Sequence, residues 1–176
     1  MTIVSDTTPI ISLIKINRLD LLEKLFQEVL IPDAVYHELT TNQAFTSEAE
    51  EVKKSAFLKV SPVQNKQSIQ ILQAVSGLDD GESEAIVLAG EKQSDVLIID
   101  ERRGRKVAQQ LGITITGTVG VLVQANNEGM LSKADAKICL DFLKQSNIRL
   151  SETLILDALN NRIKKFFISS YLMHLG

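Results

Sequence analysis

The sequence predicts an α/β fold, a parallel sheet covered by helices on both faces. Strand-like and helix-like segments alternate through roughly the first 125 residues, the order that builds such sheets. Within "DVLIIDE", Val96 to Ile99 form a short continuous apolar run of the kind that central parallel strands carry. The chain has 176 residues, 44% of them apolar and 23% charged, which suits one folded domain with a real core.

The elements follow in order. Ile3, Val4 and Ser5 read as a strand running into Asp6, and Ile10, Ile11, Leu13 and Ile14 as the buried face of a helix. Residues 17–28 predict a second helix, because Leu22, Leu25, Phe26 and Val29 recur at helical spacing. "VLIP" is a short strand, and Pro32 suits the first turn of the helix "PDAVYHELT". Residues 47–57 are polar and helix-like, and "LKVSPV" is a strand or an extended connection. In "GLDDGESEAIVLAGEKQ" an Asp/Gly turn opens a helix, with Asp79 or Asp80 as its cap. After "VLII", "RRGRKVAQQLG" is a helix closed by Gly112, "ITIT" a strand, and "GTVGVLVQANNEG" a helix closed near Gly129. "SKADAKICLDFLKQS" and "SETLILDALNNRI" are two further helices, each started by a serine. Residues 1–128 are expected to form the main domain, with the helices of 129–176 packed on it as part of one domain.

The composition narrows the function. A net charge of −3 is not that of a strongly basic nucleic-acid-binding domain, so any such site is a local patch or works through bridging metal ions. Cys139 is the only cysteine, which excludes an intramolecular disulfide and a cysteine-rich zinc site. With no signal-peptide pattern and no apolar run of membrane-spanning length, a cytoplasmic protein without membrane partners is expected.

The acidic residues carry the chemistry. Asp6 and Asp100 each follow a predicted strand, at the carboxyl edge where α/β sheets bind ligands. Each is either an oxygen ligand or a helix cap. Glu38 borders the apolar stripe of Val35 and Leu39, so it either leans inward and needs a cation or reaches out to solvent. Glu82 and Glu84 open a helix that is apolar through Ala85 to Ala89. Glu82 points towards the sheet, while either acid can simply favour the helix N-terminus. Glu101 follows Asp100 and can pair with Arg105 one turn on. Carboxylates gathered from several segments repel one another unless a cation neutralises them. Oxygen-only ligation suits Mg²⁺ or Mn²⁺, which can activate water and steady a phosphodiester during displacement.

At these residues the sequence resembles the PIN-domain superfamily, in particular its stand-alone bacterial and archaeal branch of VapC-like, DUF3368-like proteins. The matching pieces are "VSDTTPIISL", "IPDAVYHEL", "LDDGESEAIVLA", "VLIIDERRGRKVAQQLGI" and "ITGTVGVL", spanning roughly residues 3 to 123. The resemblance implies a Rossmann-like three-layer α/β/α sandwich and a Mg²⁺- or Mn²⁺-dependent ribonuclease, the toxin of a toxin–antitoxin pair. It implies Asp6, Glu38, Glu82 and Asp100 as the catalytic acids, with Glu84 and Glu101 as further candidate metal ligands. Thr7 and Thr8 match hydroxyls that often follow the first acid, to hold a metal-bound water or to cap the helix. The expected partners are RNA, an antitoxin protein and a second copy of the chain. A non-catalytic binding module of the same fold is the alternative.

Arg102, Arg103, Arg105 and Lys106 in "ERRGRK" form either a phosphate-gripping edge or a solvated helix start. His37 lies about 100° round the helix from Glu38, and His37 and His174 give little support to a triad or a zinc site. "GTVG" is too short for a phosphate loop. The apolar tail from Phe166 to Leu175 is expected to pack on the domain or to meet a partner.

Overall fold

The computed structural model describes residues 1–145. Five strands, β1 Ile3–Ser5, β2 Val29–Ile31, β3 Leu58–Val60, β4 Val96–Ile98 and β5 Ile115–Thr116, pair in the order β3-β2-β1-β4-β5. Every pairing is parallel, with Ser5 opposite Ile98, Val4 opposite Leu30 and Ile98 opposite Thr116. Nine α-helices stand among the described residues: α1 Thr7–Lys15, α2 Asp20–Phe26, α3 Asp33–Thr41, α4 Thr46–Lys54, α5 Lys66–Ser76, α6 Asp80–Glu91, α7 Arg102–Gln110, α8 Thr118–Asn127 and α9 Lys133–Gln145. This is a Rossmann-like three-layer α/β/α architecture. The backbone divides into two compact units, Met1–Thr118 and a second that begins at Val119.

In the first unit, the central strands β1 and β4 are buried on both faces. Val4, Leu97 and Ile99 point to one side and pack with Ile69 of α5, Ala85, Ile86, Leu88 and Ala89 of α6 and Ala108 of α7. Residues of the opposite parity, Ile3, Val29, Ile31, Val96 and Ile98, are also buried, as the two-residue period of a strand requires. The chain builds β2 and β3 to one side of β1, then returns to place β4 and β5 on the other. The topological switch point therefore lies at the carboxyl ends of β1 and β4.

Local chemistry sets the helix ends. α2 is shorter than the predicted 17–28 because Asn17 and Gln27 both have left-handed backbone, at φ 55° and 64°, which no helix continues through. α4 stops at Lys54, short of Phe57, because the chain turns to bring Phe57 O to the Val29 amide at 2.9 Å and begin β3. Pro32 is the extended residue before α3 rather than its first turn. α5 had no counterpart in the sequence reading. Asn65 starts it by accepting from Ser68 N at 2.9 Å, and Gly77 ends it at φ 65°. Its stripe is thin, with Ile69 alone fully buried, and so left little periodicity to detect.

In the second unit, Ser132 Oγ accepts from Asp135 N at 3.0 Å and starts α9, and Ala136, Cys139, Leu140 and Leu143 form its buried stripe. Gly129, at φ 73°, follows α8 as expected. The predicted helix "SETLILDALNNRI", the apolar tail and His174 lie outside the described residues.

Candidate metal centre at the carboxyl edge of the sheet

Asp6 is the first residue past β1 and only 3% exposed. Its amide still donates to Ile98 O at 3.0 Å, so it continues the sheet. It occupies the N-cap position of α1 without making the side-chain capping bond, which leaves its carboxylate for other work. By strand parity Asp6 extends the face of Val4, where α6 packs.

Glu38 arrives from α3, half-buried beside the fully buried Val35 and Leu39. Thr7 Oγ1 donates to Glu38 Oε2 at 2.7 Å. Thr7 is buried and ties α1 to α3 through that carboxylate, whereas Thr8 is exposed. The first turn of α6 closes the third side. A Cβ placed on Gly81 would lie 3.4 Å from Glu38 Oε2, 3.5 Å from Asp6 Oδ1 and 3.5 Å from Thr7 Oγ1. Three oxygens from two segments thus converge on one small hollow.

Glu82, 7% exposed, forms a capping box with Asp79. Asp79 Oδ1 accepts from Glu82 N at 2.8 Å, and Glu82 Oε2 from Asp79 N at 3.3 Å. Glu82 Oε1 is buried with no hydrogen-bond partner. It sits over Gly104 of α7, where a Cβ would come within 3.0 Å of it and 2.5 Å of Ile99 Cδ1. The absence of that Cβ lets α7 approach the carboxylate.

The electrostatics follow the burial. Asp6 is pushed up to about 8, chiefly by burial. The Thr7 N–H offsets part of this, and the charges of Glu82, Asp79 and Glu38 raise it further. Glu82 is raised by burial, against the Asp79 N–H, with Asp79 and Glu101 adding and Arg103 opposing. Asp6 thus feels the negative charge of three neighbouring acids, and Glu82 that of two.

Asp100 stands in a different setting. By parity it extends the face of Ile98, opposite to that of Asp6. Its Oδ1 accepts from Thr118 N at 2.8 Å and its Oδ2 from Thr118 Oγ1 at 2.5 Å. Burial raises it, while the Thr118 bonds and Arg105 lower it. Arg105 donates to Ile99 O at 2.8 Å and Thr116 O at 3.0 Å, and burial pulls its guanidinium down. Glu84 is also engaged elsewhere: Oε2 accepts from Ala34 N at 3.0 Å, and Oε1 lies 3.6 Å from Lys66 Nζ. Glu101 is exposed, and its carbonyl rather than its side chain meets Arg105, through the Arg105 amide. Arg103 donates to Gly77 O at 3.0 Å, and Arg102 and Lys106 are exposed on α7.

The structure therefore brings Asp6 and Glu38 together with Thr7 at Gly81, places Glu82 and Asp79 on the adjoining start of α6, and sets Asp100 and Glu84 on other partners. Among the described residues no three His, Cys, Asp or Glu side chains are grouped to hold one metal ion. The donors fit a magnesium-like ion all the same, since such ions keep several waters and take one or two carboxylates plus substrate phosphates. Sequence reading treated Asp79 only as a cap and missed Gly81, Gly104 and Thr118. The signal for the two glycines was their place inside helical text, where glycine is unfavourable without a packing reason.

The fold and this acidic edge define a protein with a nuclease-type fold. The family model described as DUF3368, PIN domain, matches residues 2–164, and the chain belongs to that family. PIN domains typically use divalent metal ions. No curated protein matches the sequence. No helix among the described residues is long and apolar enough to cross a membrane.

Proposed function

We propose that the chain is a Mg²⁺- or Mn²⁺-dependent endoribonuclease and the toxin of a toxin–antitoxin pair, acting in the cytoplasm on RNA. The observation that carries this reading is the convergence of Asp6 and Glu38 on one hollow at the topological switch point. Asp6 and Glu38 would hold the ion, and when bound it would supply an activated water and stabilise charge on the phosphodiester. Thr7 fixes the direction of Glu38 by donating to Oε2. Glu82, raised by burial, stands next to Gly81 in the first turn of α6 with Oε1 unpaired. Asp100 shapes the neighbouring rim by accepting from Thr118. Arg102 and Lys106 offer exposed cations to substrate phosphates. Cleavage of a generic RNA in Mn²⁺ tests this. The Asp6→Asn protein keeps its fold by circular dichroism and loses cleavage; cleavage at the wild-type rate would overturn the assignment.

The tying of Asp100 and Glu84 to other groups favours a second reading, a non-catalytic nucleic-acid- or protein-binding module with the same fold. Calorimetric titration with Mn²⁺ separates the two: no saturable heat and an unchanged melting temperature assign the module.

A further inference from the structure

Gly81 is the second residue of α6 and adopts ordinary helical backbone, so no left-handed turn requires it. Nor does steric crowding require it. Its hypothetical Cβ meets Glu38 Oε2, Asp6 Oδ1 and Thr7 Oγ1 at 3.4–3.5 Å, which are ordinary contact distances. Glycine is a poor helix former, and here neither conformation nor a clash accounts for it. The contrast with Gly104 is direct, because there a Cβ would strike Ile99 Cδ1 at 2.5 Å. What an alanine at 81 would do is fill the space on which the three oxygens converge. A methyl group seated there would stand in contact with both carboxylates, in the place a cation or its water would take.

We propose that Gly81 is a positioning residue of the cation site: its bare Cα keeps open the hollow between Asp6 Oδ1 and Glu38 Oε2 that a hydrated divalent ion occupies. The proposal rests on the metal-dependent reading above.

Gly90 supplies the control, since it lies in the same helix and a Cβ there would meet nothing within 4 Å. Mn²⁺ is titrated by calorimetry into the wild type, Gly81→Ala and Gly90→Ala, and each is melted with and without the ion. The expected result is a loss of about 10- to 100-fold in Mn²⁺ affinity for Gly81→Ala, with its Mn²⁺-induced rise in melting temperature gone. Metal-free Gly81→Ala unfolds cooperatively within a few degrees of the wild type, and Gly90→Ala binds as the wild type does. Wild-type affinity in Gly81→Ala would overturn the proposal alone, as would a failure of that variant to fold, because the methyl would then not fit as argued. Absence of saturable binding in the wild type would overturn the metal-dependent reading itself, and this proposal with it.

Discussion

The replacement Asp6→Asn has a consequence for stability as well as for chemistry. In the unfolded chain the carboxyl titrates near 3.8, and in the fold near 8. The folded state therefore holds a proton that the unfolded state has released throughout that interval. Stability contributed by the protonated carboxyl is fully present below the unfolded value and is lost as pH rises through the folded one. At about 1.4 kcal/mol per unit, the four-unit interval sets an upper figure of about 6 kcal/mol. Water penetration and relaxation around a charged group reduce this, so about 2–3 kcal/mol is the expected difference at pH 8. Asparagine is close to isosteric and carries no charge, so the variant lacks the penalty. Urea unfolding at pH 5, 6.5 and 8 with EDTA present measures it, with the same slope against denaturant in both proteins. Asp6→Asn should match or trail the wild type at pH 5 and exceed it at pH 8. Mn²⁺ should then restore wild-type stability at pH 8 and leave the variant unmoved. The reasoning fails if the difference between the two proteins does not grow with pH.

The other predictions concern the groups around that carboxylate. Thr7→Val removes the donor to Glu38 Oε2, and calorimetry should show Mn²⁺ binding weakened about tenfold, with Thr7→Ser restoring it. Asp100→Ala strips Thr118 of both its acceptors, so thermal or urea unfolding should show a loss of about 1–3 kcal/mol while Mn²⁺ affinity stays near wild type. Arg102→Gln with Lys106→Gln removes two exposed cations. The slope of log affinity against log salt for a single-stranded RNA should become shallower by about 1.4, and unfolding should not change.

Alternation of strand-like and helix-like text, and the unbroken apolar run at Val96–Ile99, carried the parallel sheet and its order of elements. Those signals are local, and burial on both faces of a central strand reinforces them. α5 escaped because its packing rests on Ile69 with help from Leu72, too thin a stripe for periodicity, although Asn65 and Gly77 bracket it. That acids collect at strand ends was readable, but their grouping was not. Asp6 and Asp100 leave adjacent strands one step apart in register, and a one-residue offset puts successive side chains on opposite faces. Likewise Glu82 and Glu84 are two residues apart on one helix, and only the positions of Ala34 and Lys66 explain why Glu84 turns away. Gly81 read as turn punctuation in "DDGES", because the Asp/Gly cluster around it hid its place inside the first turn of α6.

The middle strand β1 is hydrogen-bonded to a neighbour along each side, and the amide that follows it is held by Ile98 O. Fraying begins at the rims of a sheet and reaches such a segment last. The anchor of the acidic hollow should thus be among the slowest sites in deuterium exchange, opening only when the domain as a whole comes apart. Breathing of the backbone at Asp6 would then contribute little to ion entry and exit, which fall instead to the side-chain torsions of Glu38 and its neighbours.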